Sequence, residues 1–281
     1  MSFKNITFPP DFSYSSDTSF LPIEFFLEAI PRSKSIDLLL GYFSSTSIST
    51  LAVGFAPFVV NGGKLRIVSN HELRAEDAQL VNSRDVAEQE VYIRGFDAKF
   101  VNNIEAVFAA LRDPYQQHFI NCLKFLRDRQ QLELIPVKLA TGNMVHYKEG
   151  VFSDGDDNSL SINGSCNFTA NGLLENGETI KVCRSWGGDY ELNTIGSTKQ
   201  RFETIFDRLS PKFEYLAREK IEALIDNRGI SKTTSQLLKD ELALVEKGSL
   251  LEGHKVLRKY KEKLAKAIEV EKLKPQFPYT S

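Results

Sequence analysis

HYKEGVFSDGDDNSLSINGSCN, residues 146–167, decides how this chain folds. In an extended segment, positions i and i+2 share a face, so His146 and Lys148 point one way and Tyr147 the other. Asp154-Gly155-Asp156-Asp157-Asn158 is a dense cluster of turn formers. The runs on either side, Val151-Phe152 and Leu160-Ser161-Ile162, alternate as hairpin strands do. Such a hairpin returns Ser165 and Asn167 to the side of His146 and Lys148. Gly164 permits close backbone approach where an anion would sit. Further on, Asn176-Gly177-Glu178 brings a carboxylate within reach of the imidazole. An imidazole, an ammonium, a hydroxyl, a carboxamide and a carboxylate thus converge on a site suited to one phosphate.

Working outward, residues 35–43 (SIDLLLGYF) form a largely apolar run of strand length, of the kind buried on both faces. Residues 44–58 follow as a helix, Asn61-Gly62-Gly63 as a turn, and residues 64–69 (KLRIVS) as a second strand. Strand, helix, strand in this rhythm indicates a right-handed crossover and a largely parallel sheet. Residues 72–92 and 103–127 read as helices, 132–137 as a third strand leading into 144–146 as a fourth, and 179–184 as a strand after the motif. The expected class is α/β, a mixed, largely parallel sheet flanked by helices. An irregular arm (1–20) precedes the main domain (21–210). From Thr198 apolar residues recur at helical spacing with Lys and Glu between them, which predicts a helical appendage over 211–271 with Gly229, Gly248 and Gly253 as breaks. Lys255, Arg258, Lys259, Lys261 and Lys263 read as a solvated helical face, since Glu252, Glu262 and Glu269 are interleaved. Residues 272–281 read as a linker or tail.

Composition is that of a soluble globular protein: 281 residues, 42% hydrophobic, 26% charged. A formal net charge of −2 argues against coating nucleic acid by bulk electrostatics, so any phosphate binding comes from a local basic patch. Three cysteines, Cys122, Cys166 and Cys183, lack metal-ligand spacing and read as reduced thiols; with four histidines they outline no zinc site. Neither a signal peptide nor a bilayer-spanning stretch is indicated, which makes the cytoplasm the expected compartment. The acidic turn reads as a turn, not a calcium loop, because no bidentate Glu follows at suitable spacing. No metal or other cofactor is expected.

His146, Lys148, Gly164, Ser165, Asn167, Thr169, Asn176 and Glu178 resemble the phospholipase D superfamily signature of His-x-Lys, Gly-Ser-x-Asn and a later Glu. The wording from Gly164 to Thr169 and the Asn176-x-Glu178 ending are similar to the nuclease and restriction-associated branch. One position departs: where the family usually has its Asp, this chain has Ser153, and Asp154 follows. The resemblance covers roughly residues 20–210. It implies catalysis by His146, Lys148, Ser165, Asn167 and Glu178, with Gly164, Thr169, Asn176 and Asp154 in support. Tyr42 and Ser44, after the first strand, resemble the family's site border. His71 at a strand end and Arg184 beside Trp186 are further substrate-contact candidates, although surface or packing roles are ordinary for such residues.

The chemistry follows from these groups. Lys148 supplies charge, and Asn167 with Ser165 supplies donors for the equatorial oxygens of a phosphodiester. His146, oriented by Glu178, attacks phosphorus and forms a phosphohistidine, and a second imidazole protonates the leaving alkoxide. The chain holds one His-x-Lys, whereas the family needs two half-sites. A homodimer with one composite active site is therefore expected. The resemblance points to a DNA endonuclease in restriction or phage defence, with a helicase or other defence-system partner, since the final residues resemble a junction to a helicase motor. A phospholipase or phosphatidyl transferase and a non-catalytic nucleic-acid docking module are the alternatives; a basic amphipathic helix that would favour a membrane substrate is not evident.

Overall fold

The run SIDLLL forms β2 (Ser35–Leu40), with Ile36 to Leu40 all buried, and it occupies the middle of an eight-stranded sheet. The computed structural model describes residues 2–40, 52–70, 114–141, 147–164, 178–247 and 255–272. The strands are β1 (Ser13–Ser15), β2, β3 (Lys64–Asn70), β4 (Leu132–Leu139), β5 (Lys148–Ser153), β6 (Ser159–Gly164), β7 (Thr179–Arg184) and β8 (Phe213–Tyr215). Their spatial order is β1-β7-β6-β5-β2-β3-β4-β8. The helices are α1 (Pro22–Ala29), α2 (Phe55–Val60), α3 (Pro114–Asp128), α4 (Asp189–Phe206), α5 (Glu219–Arg228), α6 (Thr234–Lys247) and α7 (Lys255–Lys272).

The parallel unit expected from the strand–helix–strand rhythm is present as β2, β3 and β4. It is smaller than a largely parallel sheet, because β1, β5, β6, β7 and β8 all join antiparallel. The physical reason lies in the turn at 154–158, which is too short for a crossover and therefore reverses the chain into a hairpin. The expected helix over 44–58 is realised in its last part as α2, and the expected helix over 103–127 as α3. The helix expected over 72–92 and the strand start at 144–146 lie outside the described residues.

Two three-residue strands went unread. β1 lies within the expected irregular arm and pairs with β7, and β8 lies in the stretch read as helical and pairs with β4. The arm is also anchored by its side chains, since Phe3 and Tyr14 are buried.

Helices cover both faces. On one, Phe25 and Phe26 of α1, Phe55 and Phe58 of α2 and Phe119 of α3 form a core with Ile36, Leu38, Phe152 and Ile162. The helices beyond β8 enter that same core through Ile221, Ile225, Leu237, Leu238, Tyr260 and Leu264. On the other face, Phe202, Ile205 and Phe206 of α4 cover Leu39, Val68, Ile135 and Val151. Arg66 fastens α4 down: it forms a two-pronged bond to Asp37 at 2.7 Å, reaches Glu203 at 2.6 Å and lies over the Phe206 ring at 4.1 Å.

Glu241 of α6 is wholly buried, with both carboxyl oxygens engaged by donors. It accepts from the N–H groups of Gly54 (2.8 Å) and Ala56 (2.7 Å) at the start of α2, where no side-chain cap is present. The Tyr260 hydroxyl also donates to it, and His118 Nε2 stands 3.0 Å away. Four donors from three separate segments thus surround one carboxylate. Among the described residues no helix is long and apolar enough to cross a membrane.

Candidate functional site

Register across the sheet brings three of the motif positions to one edge. Lys148 opens β5 opposite Leu40, the last residue of β2. Glu149 pairs with Asn163, and Gly164, the last residue of β6, pairs with Ile180. Glu178 immediately precedes β7. The C-terminal ends of β2 and β6 and the N-terminal ends of β5 and β7 therefore lie together.

These positions also share a face. Gly150 and Phe152 alternate with Lys148, Leu160 and Ile162 with Gly164, and Ile180 and Val182 with Glu178; the apolar members of all three series belong to the first core. With strands about 4.8 Å apart, Lys148 and Gly164 are neighbours, and Glu178 is about two strands from Lys148. Lys148 is only 7% exposed, an unusual burial for an ammonium at a strand start.

Each position has a local cause. A Cβ on Gly164 would stand 2.0 Å from the Thr179 carbonyl oxygen and 2.9 Å from the Ile180 Cα. Only glycine lets β6 press so closely on β7. Glu178 is held by its backbone: its N–H donates to Ser16 Oγ at 3.1 Å, and its carbonyl accepts from the Ser16 N–H at 3.2 Å and the Ser15 hydroxyl at 3.3 Å. The Ser15 and Thr179 hydroxyls are 3.0 Å apart. Ser15 and Ser16 thus fix the Glu178 backbone, a contact the sequence did not foretell. Their only signal was a Ser-rich stretch that read as an irregular arm.

His146, Ser165, Asn167, Thr169, Asn176, Tyr42, Ser44 and His71 lie outside the described residues. Tyr147, Gly164 and Glu178, which carry the chain out of and back into the segments 142–146 and 165–177, all stand at the edge just described.

Two expected site members sit elsewhere. Asp154 follows β5 and is about 20 Å along the strand from Lys148, at the opposite edge. There it is a turn ligand: it accepts from the N–H groups of Phe3 (2.7 Å), Asp156 (2.8 Å) and Asn158 (3.0 Å) and from the Asn158 amide. Burial opposes its charge, but these donors prevail and hold the carboxyl below the ordinary carboxylate value. Arg184 ends β7, likewise at the far edge from Glu178. Its guanidinium is engaged by Glu191 at 2.9 and 3.2 Å and stacks 3.6 Å from the centre of the Phe12 ring. A substrate role for Arg184 is replaced by a structural one, because six residues of strand separate it from the site edge. Trp186 packs toward Phe8 with ring centres 6.4 Å apart, as its packing reading anticipated.

No family model matches the chain, and no curated protein matches it in sequence. Solved structures similar to it include NucT and Nuc. NucT from Helicobacter pylori is 11% identical with a TM-score of 0.37, the match covering 69% of this chain and 91% of that one. Nuc from Salmonella typhimurium, a phospholipase D family member, is 13% identical with a TM-score of 0.38, covering 73% of this chain and 95% of that one.

Proposed function

We propose that this chain is a phosphodiesterase of the phospholipase D type that cleaves DNA without a metal ion. The observation that carries the reading is the meeting of Lys148, Gly164 and Glu178 on one face at one sheet edge, in the order in which the motif requires them. Lys148 neutralises a non-bridging oxygen of the diester, while Ser165 and Asn167 donate to the others. A nitrogen of His146 attacks phosphorus and forms a P–N bond as the P–O bond to the leaving alkoxide breaks. The imidazolium of a second copy's His146 gives that alkoxide its proton. Water, deprotonated by the same second imidazole, then opens the phosphohistidine, returning the free enzyme and a phosphomonoester. Glu178 accepts the other N–H of the imidazole and fixes its tautomer.

Two copies of the chain complete this site, each giving His146, Lys148, Ser165, Asn167 and Glu178. A role in restriction or phage defence beside a helicase is the setting that accords with the motif wording. The test is nicking of plasmid DNA in EDTA, together with light scattering of the same sample. Cutting that His146→Ala abolishes, by a dimer, is the expected outcome. Strand cutting that persists in His146→Ala, or head-group release from vesicles with DNA untouched, overturns the reading. Lys148→Ala lowers kcat on the order of 100- to 1000-fold, as loss of one transition-state donor does.

A further inference from the structure

The other face of the same edge holds a feature that the catalytic reading leaves unused. A cavity of about 250 Å³ opens between the last turns of α4, the end of β2 and the start of β8. Leu39, Tyr147, Arg201, Ser210, Lys212 and Phe213 line it. Its position relative to Lys148 is fixed by alternation, because Tyr147 is the preceding residue and projects to the opposite side. Lys212 is placed at this edge by its backbone carbonyl, which accepts from the N–H of Ala140 at 3.0 Å, just beyond the end of β4.

Two cations meet here. Arg201 is paired with Glu149 and stands 5.4 Å from the centre of the Tyr147 ring, and a guanidinium retains further N–H donors after one such pair. The Lys212 side chain is exposed and has no hydrogen bond or ion pair among the described residues. The turn that presents it is fixed. Arg208 adopts a left-handed φ of 59°, its N–H donates to the Ile205 carbonyl at 3.0 Å, and the Leu209 N–H donates to the Thr204 carbonyl at 2.9 Å. Leu209 is thereby held 70% exposed between Arg208 and Lys212. An exposed apolar side chain on the turn that leads to Lys212 fits a strand of nucleic acid, which offers phosphates at regular spacing and apolar base faces between them.

We infer that this cavity is a second phosphate subsite for the substrate strand, in which Lys212 and Arg201 hold a backbone phosphate flanking the scissile one and Leu209 rests against a neighbouring base. The inference rests on the phosphodiesterase reading for the identity of the strand. A path from Lys148 around the edge to the cavity spans on the order of 10 Å, about two or three nucleotides. Such a subsite also answers the charge problem, because a protein of net charge −2 needs a local grip on the backbone.

The experiment is anisotropy of a short fluorescent single-stranded DNA oligonucleotide with the full chain, titrated across about 50 to 200 mM salt. Lys212→Ala reduces the slope of log K against log salt by about 0.7, and Lys212→Arg restores it. Lys239→Ala, the same charge change on exposed α6, leaves the slope at the wild-type value. A wild-type slope in Lys212→Ala, or an equal change in Lys239→Ala, overturns the inference. Hydrolysis of a chromogenic small phosphodiester by the wild-type chain is measured in parallel. Its absence alongside a Lys212-dependent slope sinks the catalytic reading and leaves the subsite standing, whereas its presence with a Lys212-independent slope does the reverse.

Discussion

At the scale of single residues, buried carboxylates carry much of the information. Asp154 is held charged by three backbone N–H groups and one amide, so its contribution to stability is present above the ordinary carboxylate value near pH 4 and fades as pH falls through its lowered value. Asp154→Ala costs about 1 to 3 kcal/mol at neutral pH and less in acid, a difference that urea melts at two pH values resolve. Glu241 is the more severe case. Glu241→Ala leaves the Gly54 and Ala56 N–H groups, Tyr260 and His118 without their acceptor, and it costs on the order of 3 to 5 kcal/mol in the same melts.

His118 beside Glu241 adds a dependence of opposite sign. Burial alone lowers an imidazole's proton affinity, yet Cys122 at 3.7 Å and Glu241 at 3.0 Å outweigh it and hold His118 protonated up to about 10. Because the folded value lies above the unfolded one near 6.5, the pair's contribution is complete below about pH 6.5 and is lost as pH rises toward that folded value. The wild-type urea midpoint therefore declines from pH 7 to pH 10, and His118→Gln flattens the decline. None of this was legible in the sequence, where Glu241 sits beside Lys239 and Asp240 on an amphipathic helix. The nearness of Lys148 to Gly164 was legible, because a short turn folds one strand back along the other. Arg184 and Asp154 stand away from that edge because a strand of six residues carries its two termini to opposite edges.

At the scale of elements, length governs what a sequence reveals. β2, β3 and the β5–β6 hairpin are long enough for burial pattern and turn chemistry to agree. β1 and β8, three residues each, are too short to alternate recognisably, and only pairing with β7 and β4 makes them strands. The residues around the end of β1 hold the Glu178 backbone. Ser16→Ala removes the acceptor for the Glu178 N–H. It lowers kcat on the order of tenfold or more while KM stays within a small factor, which steady-state kinetics on an oligonucleotide separates. The helices beyond β8 were legible as amphipathic, but periodicity names an apolar face without naming what it covers. Here they cover α1, α2 and α3.

At the scale of the whole molecule, the chain's first fifteen residues matter to its stability. Phe3 and Tyr14 fill the core, the Phe3 N–H binds Asp154, and β1 covers the outer side of β7. Deleting residues 1–15 removes two buried aromatic side chains worth about 3 to 5 kcal/mol each and leaves the truncated chain largely unfolded by circular dichroism.

The sheet is bounded on both margins by strands of three residues. So little free backbone gives an incoming strand almost no purchase, which protects the molecule from runaway lateral stacking. It also disfavours continuation of the ladder from one molecule into the next.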